Sequence, residues 1–228
     1  MIVIVDYGIG NLRSVQKALE RVGATAVVTS DLAALDQAQG VVLPGVGAFG
    51  DGMDRLRQRG LVEPVLRQAG VGKPLLGICL GMQLLFDESE EMGHQEGLGL
   101  LPGRVVRFPE GELKVPHIGW NQLRLAGPRP EMALLEGVED GAYAYFVHSY
   151  YPAPDEPGDL LATTEYGIEF ASVVGRGTIW GAQFHPEKSQ DVGLRLLENF
   201  VRLVMDHGGT QSREIWSRRG GRKPGGHR

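Results

Sequence analysis

Short apolar runs alternate with longer amphipathic stretches through the first third of the chain. Residues 2–5 are a β-branched run closed by Asp6-Tyr7-Gly8, which predicts a buried strand and a turn. Residues 11–22 follow, with Leu12, Val15, Leu19 and Val22 spaced to form one face of a helix. Further apolar runs at 24–28, 40–43 and 75–78 read as strands. Strands alternating with helices imply right-handed βαβ units and a mostly parallel sheet.

The second half changes character. Runs at 105–108, 122–125, 142–147, 160–164, 170–174 and 179–182 are strand candidates separated by turn residues, an antiparallel style. Ser189 is placed to cap a final helix reaching about Met205, with Val192, Leu196, Phe200 and Leu203 on one stripe. No internal repeat or linker interrupts this order. The expectation is one α/β domain over residues 1–206, with a mostly parallel or mixed central sheet flanked by helices.

Composition adds limits. The 228 residues, 42% hydrophobic and 22% charged, suffice for a real core. A net charge of −5 leaves no nucleic-acid footprint on the chain as a whole. No apolar run approaches a membrane span. The N-terminus is apolar at once and has no basic leader, so a cytoplasmic protein is expected. Residues 207–228 differ, with six Lys or Arg against the single acid Glu214. So little apolar surface cannot offset ordering entropy, and disorder is expected there. A solvated extension is the plain reading of this tail, and a site for nucleic acid or an acidic partner the sharper one.

The chain has one cysteine, Cys79, so an internal disulfide is excluded. A lone cysteine is often just a small buried hydrophobe. Its setting argues otherwise. Gly77-Ile78-Cys79-Leu80-Gly81 follows a buried strand and leads into an apolar stretch, residues 82–86, expected to be helical. That is a nucleophile-elbow pattern with sulfur in place of oxygen. A strained turn needs small neighbours, and a helix N-terminus favours thiolate and oxyanion alike. The Leu80 amide lies where an oxyanion donor is wanted. The flanking glycines could equally be packing positions.

His185-Pro186-Glu187 follows the last strand candidate. A thiol nucleophile needs a base, and the base needs an orienting group. In an extended turn, residues two apart point to the same side. Without Cys79, a surface histidine before an ordinary Pro-Glu would be the simpler account. Pro44-Gly45-Val46-Gly47-Ala48-Phe49 sits after another strand, at the edge where α/β ligands bind. It reads either as a plain turn or as backbone free to approach an oxyanion. Gly8-Ile9-Gly10-Asn11-Leu12-Arg13 lacks the third glycine of a dinucleotide fingerprint. The six histidines are not paired at metal-ligand spacing. No cofactor and no metal are expected.

Gly77 to Gln83 together with His185-Pro186-Glu187 resembles the class I (triad) glutamine amidotransferases, a family with a flavodoxin-like α/β fold. Asp6-Tyr7-Gly8-Ile9-Gly10-Asn11-Leu12, the 44–49 loop, Pro116-His117-Ile118-Gly119-Trp120-Asn121, Tyr145-Phe146-Val147-His148-Ser149-Tyr150 and His185-Pro186-Glu187-Lys188-Ser189 narrow it. They resemble the glutaminase subunits of imidazole glycerol phosphate synthases, over residues 1 to about 205. The resemblance implies glutamine hydrolysis through a γ-glutamyl thioester on Cys79, with His185 transferring protons and Glu187 orienting it. It places the oxyanion hole at Leu80, Val46 and Gly47. It places glutamine against Gln83 and Glu91, and more softly against Ser149 and Tyr150. Trp120, Tyr145 and Lys188 match interface positions. The implied partner is a (β/α)8-barrel cyclase, joined as a heterodimer and supplied with ammonia to make imidazole glycerol phosphate from a ribulosyl ribotide. Rival readings are a free-standing cysteine hydrolase or deglycase, a glutaminase subunit of another pathway, and a regulatory subunit with a vestigial site.

Overall fold

Every residue of the first apolar run is buried. Ile2–Val5 forms β1, which pairs in parallel with β2 (Ala26–Thr29) on one side and β3 (Gly40–Gly45) on the other. This computed structural model describes residues 1–109, 111 and 113–218, with side chains described through residue 208. Helix α1 (Leu12–Arg21) joins β1 to β2, and α2 (Leu32–Gln37) joins β2 to β3. Two helices, α3 (Phe49–Gln58) and α4 (Val62–Gly70), lead to β4 (Leu75–Cys79), parallel to β3. The chain then runs through α5 (Leu80–Gln83), β5 (Phe86–Ser89), β6 (Gln95–Glu96), β7 (Leu101–Arg107), β8 (His117–Gln122) and β9 (Arg124–Leu125). It finishes through β10 (Tyr143–His148), β11 (Tyr150–Pro154), β12 (Leu160–Glu165), β13 (Glu169–Arg176), β14 (Ile179–Ala182) and α6 (Gln190–Arg218).

Among the described residues the main sheet has the order β2-β1-β3-β4-β14-β13-β12-β9. The pairings from β2 to β14 are parallel, and those from β14 to β9 are antiparallel. The expected mixed sheet is what forms. Its central strands β1, β3 and β4 are buried throughout because both faces are covered. Ile2, Ile4, Val42, Leu76 and Ile78 pack with Val15 and Leu19 of α1 and with Leu196 and Phe200 of α6. Val3, Val5, Val41, Leu43 and Leu75 pack with Phe49, Met53 and Leu56 of α3 and Val65 of α4. Two smaller sheets have the orders β11-β7-β5-β6 and β10-β8, and their Tyr150 and Val147 reach Gln83 in α5 and Cys79 at the end of β4.

Several features differ from what the sequence suggested. The helix after Cys79 is a single turn that ends before Phe86, which opens β5. Leu84, Leu85 and Phe86 are buried on all sides, and their carbonyls accept from the amides of Leu98, Leu100 and Gly99, so no helical ladder can use them. The run 122–125 is not one strand. Leu123 drops into the core, and there the chain leaves the β8–β10 pair for β9 at the edge of the main sheet. Strand β11 was hidden by Pro152 and Pro154, tolerated because β11 lies at a sheet edge. Finally, α6 runs to Arg218 instead of ending near Met205. Gly208 and Gly209 weaken a helix without blocking its hydrogen bonds as proline would. Residues 207–218 therefore continue the helix, and the rest of the basic tail, 219–228, lies outside the described residues.

Candidate active site

The register of β3 on β4 sets Gly45 beside Cys79. Cys79 itself takes φ 54° and ψ −112°, a backbone that residues with side chains rarely adopt and that marks a strained functional turn. The neighbouring glycines are needed where they stand. A Cβ on Gly77 would lie 2.6 Å from the Gly81 carbonyl oxygen, and a Cβ on Gly81 would overlap the Leu43 carbonyl. The elbow is thus pressed directly onto the end of β3. Beneath it the Tyr7 hydroxyl donates to the Pro44 carbonyl at 2.6 Å and fills the space a side chain on Gly45 would need. Burial, and then Cys79, raise the Tyr7 phenol above its ordinary range, so it stays a donor. With α5 only one turn long, the local amides at Leu80 and Gly81 matter more than a helix dipole.

Strand β14 runs beside β4 with Gly181 opposite Gly77, which delivers the His-Pro-Glu segment next to the elbow. Pro186–Lys188 is a 3₁₀ turn, tighter than the extended turn expected, yet His185 and Glu187 still converge. The His185 Nδ1–H donates to Glu187 Oε1 at 2.9 Å, and both side chains are almost wholly buried. The Asn11 amide adds a longer bond of 3.5 Å to the same oxygen. His185 Nε2 is buried without a hydrogen-bond partner among the described residues, and it is the ring atom left to exchange a proton with Cys79. Burial works against the imidazolium. Cys79 and then Glu187 outweigh it, and the His185 pKa is pushed up to about 9. Two other buried histidines show what happens without a carboxylate: desolvation pushes His117 down to about 4 and His148 to about 3.

Cys79 and His185 open into one cavity of about 410 Å³, a size suited to a small ligand. Val46, Gly47, Leu80, Gln83, Glu91, Ser149 and Tyr150 also line it, so the expected oxyanion and substrate positions do come together. Gln83 Nε2 is committed to the Tyr150 carbonyl at 2.9 Å and to Gln183 Oε1 at 3.0 Å. Glu91 has a second task, because its Oε2 accepts from the Phe49 amide at 2.6 Å and ties down the far end of the 44–49 loop.

Residues 3–204 match the glutamine amidotransferase class-I family. The chain belongs to the class-I glutamine amidotransferase family. Relatives of this amidotransferase include the imidazole glycerol phosphate synthase subunit HisH of Syntrophotalea carbinolica, 56% identical over 88% of this chain and 98% of that relative. The subunit of the same name from Geobacillus kaustophilus is 54% identical over 91% of this chain and 99% of its own. A crystal structure of a glutamine amidotransferase shares the fold with a TM-score of 0.71 at 24% identity, covering 90% of this chain and all of that one. PurLQS from Thermotoga maritima does so with a TM-score of 0.68 at 20% identity, covering 90% and 97%.

The amidotransferase also carries an apolar outer face beside the cavity. Trp120 of β8 lies opposite Tyr145 of β10, their rings 5.9 Å apart and edge to face, with Lys188 Nζ 5.9 Å from the centre of the Tyr145 ring. Ile118 and Tyr143 are exposed on the same strands. Behind this face the His-Pro-Glu turn is stitched to β10. His185 N donates to the Tyr145 carbonyl at 3.0 Å, Tyr145 N donates to Ser189 Oγ at 3.0 Å, and that hydroxyl donates to the His185 carbonyl at 2.7 Å. Ser189 stands at the helix cap as expected, but its side chain serves this link instead of capping α6.

Sequence reasoning assigned no role to several residues of the site. Asn11 comes from a loop far away in the chain. His148 lines the cavity and closes a hydrogen-bonded chain in which Asn121 donates to His117, His117 to His148, and His148 to the Tyr150 carbonyl. Gln183 is fully buried against Cys79. A glutamine inside the apolar run 179–184 was its one signal.

Proposed function

We propose that this amidotransferase is the glutaminase subunit of an imidazole glycerol phosphate synthase of histidine biosynthesis. It hydrolyses L-glutamine to glutamate and ammonia and passes the ammonia to a (β/α)8-barrel cyclase in a heterodimer. One observation carries the chemistry: a strained cysteine elbow and a carboxylate-oriented histidine share one cavity. The identity of more than half the residues to HisH subunits carries the pathway.

Glutamine enters with its amino-acid end held by Gln83 and Glu91 and by the wall formed by Ser149 and Tyr150. The Cys79 thiolate attacks the side-chain amide carbon, forming a C–S bond as the carbonyl electron pair moves onto oxygen. Backbone amides of Leu80, Val46 and Gly47 receive that charge. The His185 imidazolium gives its proton to the amide nitrogen, the C–N bond breaks and ammonia leaves. Water then adds to the thioester while His185 takes its proton. The C–S bond breaks, its electron pair returns to sulfur, and glutamate departs. Glu187 keeps the imidazole in one orientation and stabilises its charged form.

A pH dependence follows. The proton donated to the leaving nitrogen is held below the His185 pKa and lost above it, so kcat/KM falls as pH rises through about 9. Glu187→Gln removes one of the two influences that raise this pKa, and the alkaline limb moves to lower pH. An alkaline limb that stays in place in Glu187→Gln would separate Glu187 from the proton transfer. Trp120 and Tyr145 form the docking face for the cyclase. Trp120→Ala weakens the heterodimer by ~30-fold or more, as for a central aromatic anchor, and calorimetric titration of the two subunits measures it. Unchanged affinity would move the interface elsewhere.

The deciding experiment follows glutamate release from glutamine by the chain alone, and mixed with the cyclase and its ribulosyl ribotide. Strong release only in the full mixture supports a synthase subunit gated by its partner. Release by the chain alone, unaltered by the cyclase, would keep the glutaminase chemistry and overturn the partner.

A further inference from the structure

Gln183 has no exposed surface and sits one residue beyond β14, between Ala182 and Phe184 of the core. Its backbone amide donates to the Ser172 carbonyl at 2.9 Å. Its side chain is held at both ends. Oε1 accepts from Gln83 Nε2 at 3.0 Å, and this fixes the amide so that Nε2 faces Cys79 Sγ at 3.8 Å. A buried amide donor is costly unless it has an acceptor.

Besides His185, the sulfur has two polar neighbours of opposite kind. The Val147 carbonyl, at 4.0 Å, can only accept, so it is a partner for the thiol. The Gln183 N–H can only donate, so it is a partner for the thiolate. We propose that Gln183 is the hydrogen-bond donor to the nucleophilic sulfur of Cys79, linking the substrate wall at Gln83 to the nucleophile through one chain of amides. The inference rests on the reading of Cys79 as nucleophile. The donor is strongest before attack, when sulfur carries the charge. It weakens once the C–S bond withdraws that charge, and it returns when the bond breaks and the electron pair goes back to sulfur. It therefore serves both the attacking thiolate and the leaving one.

A purely structural strap between Gln83 and the core would use the same contacts, and two substitutions separate the readings. Gln183→Met keeps the shape and removes both polar ends. Gln183→Glu keeps the acceptor for Gln83 and loses the donor to sulfur. Because Cys79 is the chain's one cysteine, the rate of alkylation by iodoacetamide reads it alone in the full-length protein. The pH of half-maximal alkylation rises by about one unit in Gln183→Met, the size expected for a hydrogen bond to a charged group, and further in Gln183→Glu, where the new carboxylate also repels the thiolate. Glutaminase kcat in the complex falls ~10-fold in Gln183→Glu, with KM held by the retained Gln83 contact. An alkylation profile in Gln183→Met that coincides with the parent's would overturn the inference and leave the strap as the whole role. Glutaminase activity that survives complete alkylation of the parent would instead remove Cys79 as nucleophile, and the inference with it.

Discussion

Cys79→Ala is expected to lower glutamine-dependent turnover of the complex by at least ~1000-fold, the scale for loss of a covalent nucleophile. Synthesis from added ammonium salt should continue at the parent rate, because that route needs only the cyclase and an intact docking face. The two assays on one preparation separate chemistry from structure. Alanine removes the sulfur from a residue with positive φ but leaves the elbow glycines, β3 and the β8–β10 face untouched. Parallel loss of both activities would make Cys79 a structural residue and the mechanism above wrong. Retention of both would remove it from the reaction altogether.

The second large effect is expected from Gly81→Ala. The added methyl group overlaps the Leu43 carbonyl, a backbone atom of a fully buried central strand that cannot swing aside as a side chain could. Relief requires the elbow and β3 to part by about 1 Å, the scale of misplacement that can cost ~100-fold in rate. Overpacking of this kind costs about 1–3 kcal/mol or more, and in a domain of this size that lowers Tm by roughly 2–12 °C. Gly70→Ala is the control, since no atom lies within 4 Å of its new methyl group. Melting curves and glutaminase rates of the two variants measure the difference. A Gly81→Ala protein with parental Tm and rate would mean that the close approach of elbow and strand does not matter.

Much of this was legible because simple periods carry it. A strand buried on both faces shows as an unbroken apolar run, and Ile2–Val5 and Ile179–Ala182 end where the residues suggested. The elbow and the His-Pro-Glu turn were legible because the chain has one cysteine and six histidines, each in a distinctive local setting. What stayed hidden depends on partners distant in the chain. Leu84, Leu85 and Phe86 look alike as helix or strand, and only the amides at 98–100 decide between them. Asn11 reaches Glu187 across 176 positions, and Gln183 reaches Gln83 across 100. No local pattern announces such a pairing.

The stitching of the His-Pro-Glu turn to β10 has a consequence for anyone redirecting this ammonia to a different acceptor enzyme. The rings of Trp120, Tyr143 and Tyr145 can be exchanged to suit a new surface, since they stand outward from the strands. The main chain at Tyr145 cannot be treated as freely, because both its amide and its carbonyl are engaged with the turn that carries His185. An insertion or register change there would detune the imidazole before any new partner had been tried. Portability of the module therefore lies in its decoration, and its ribbon has to travel unaltered.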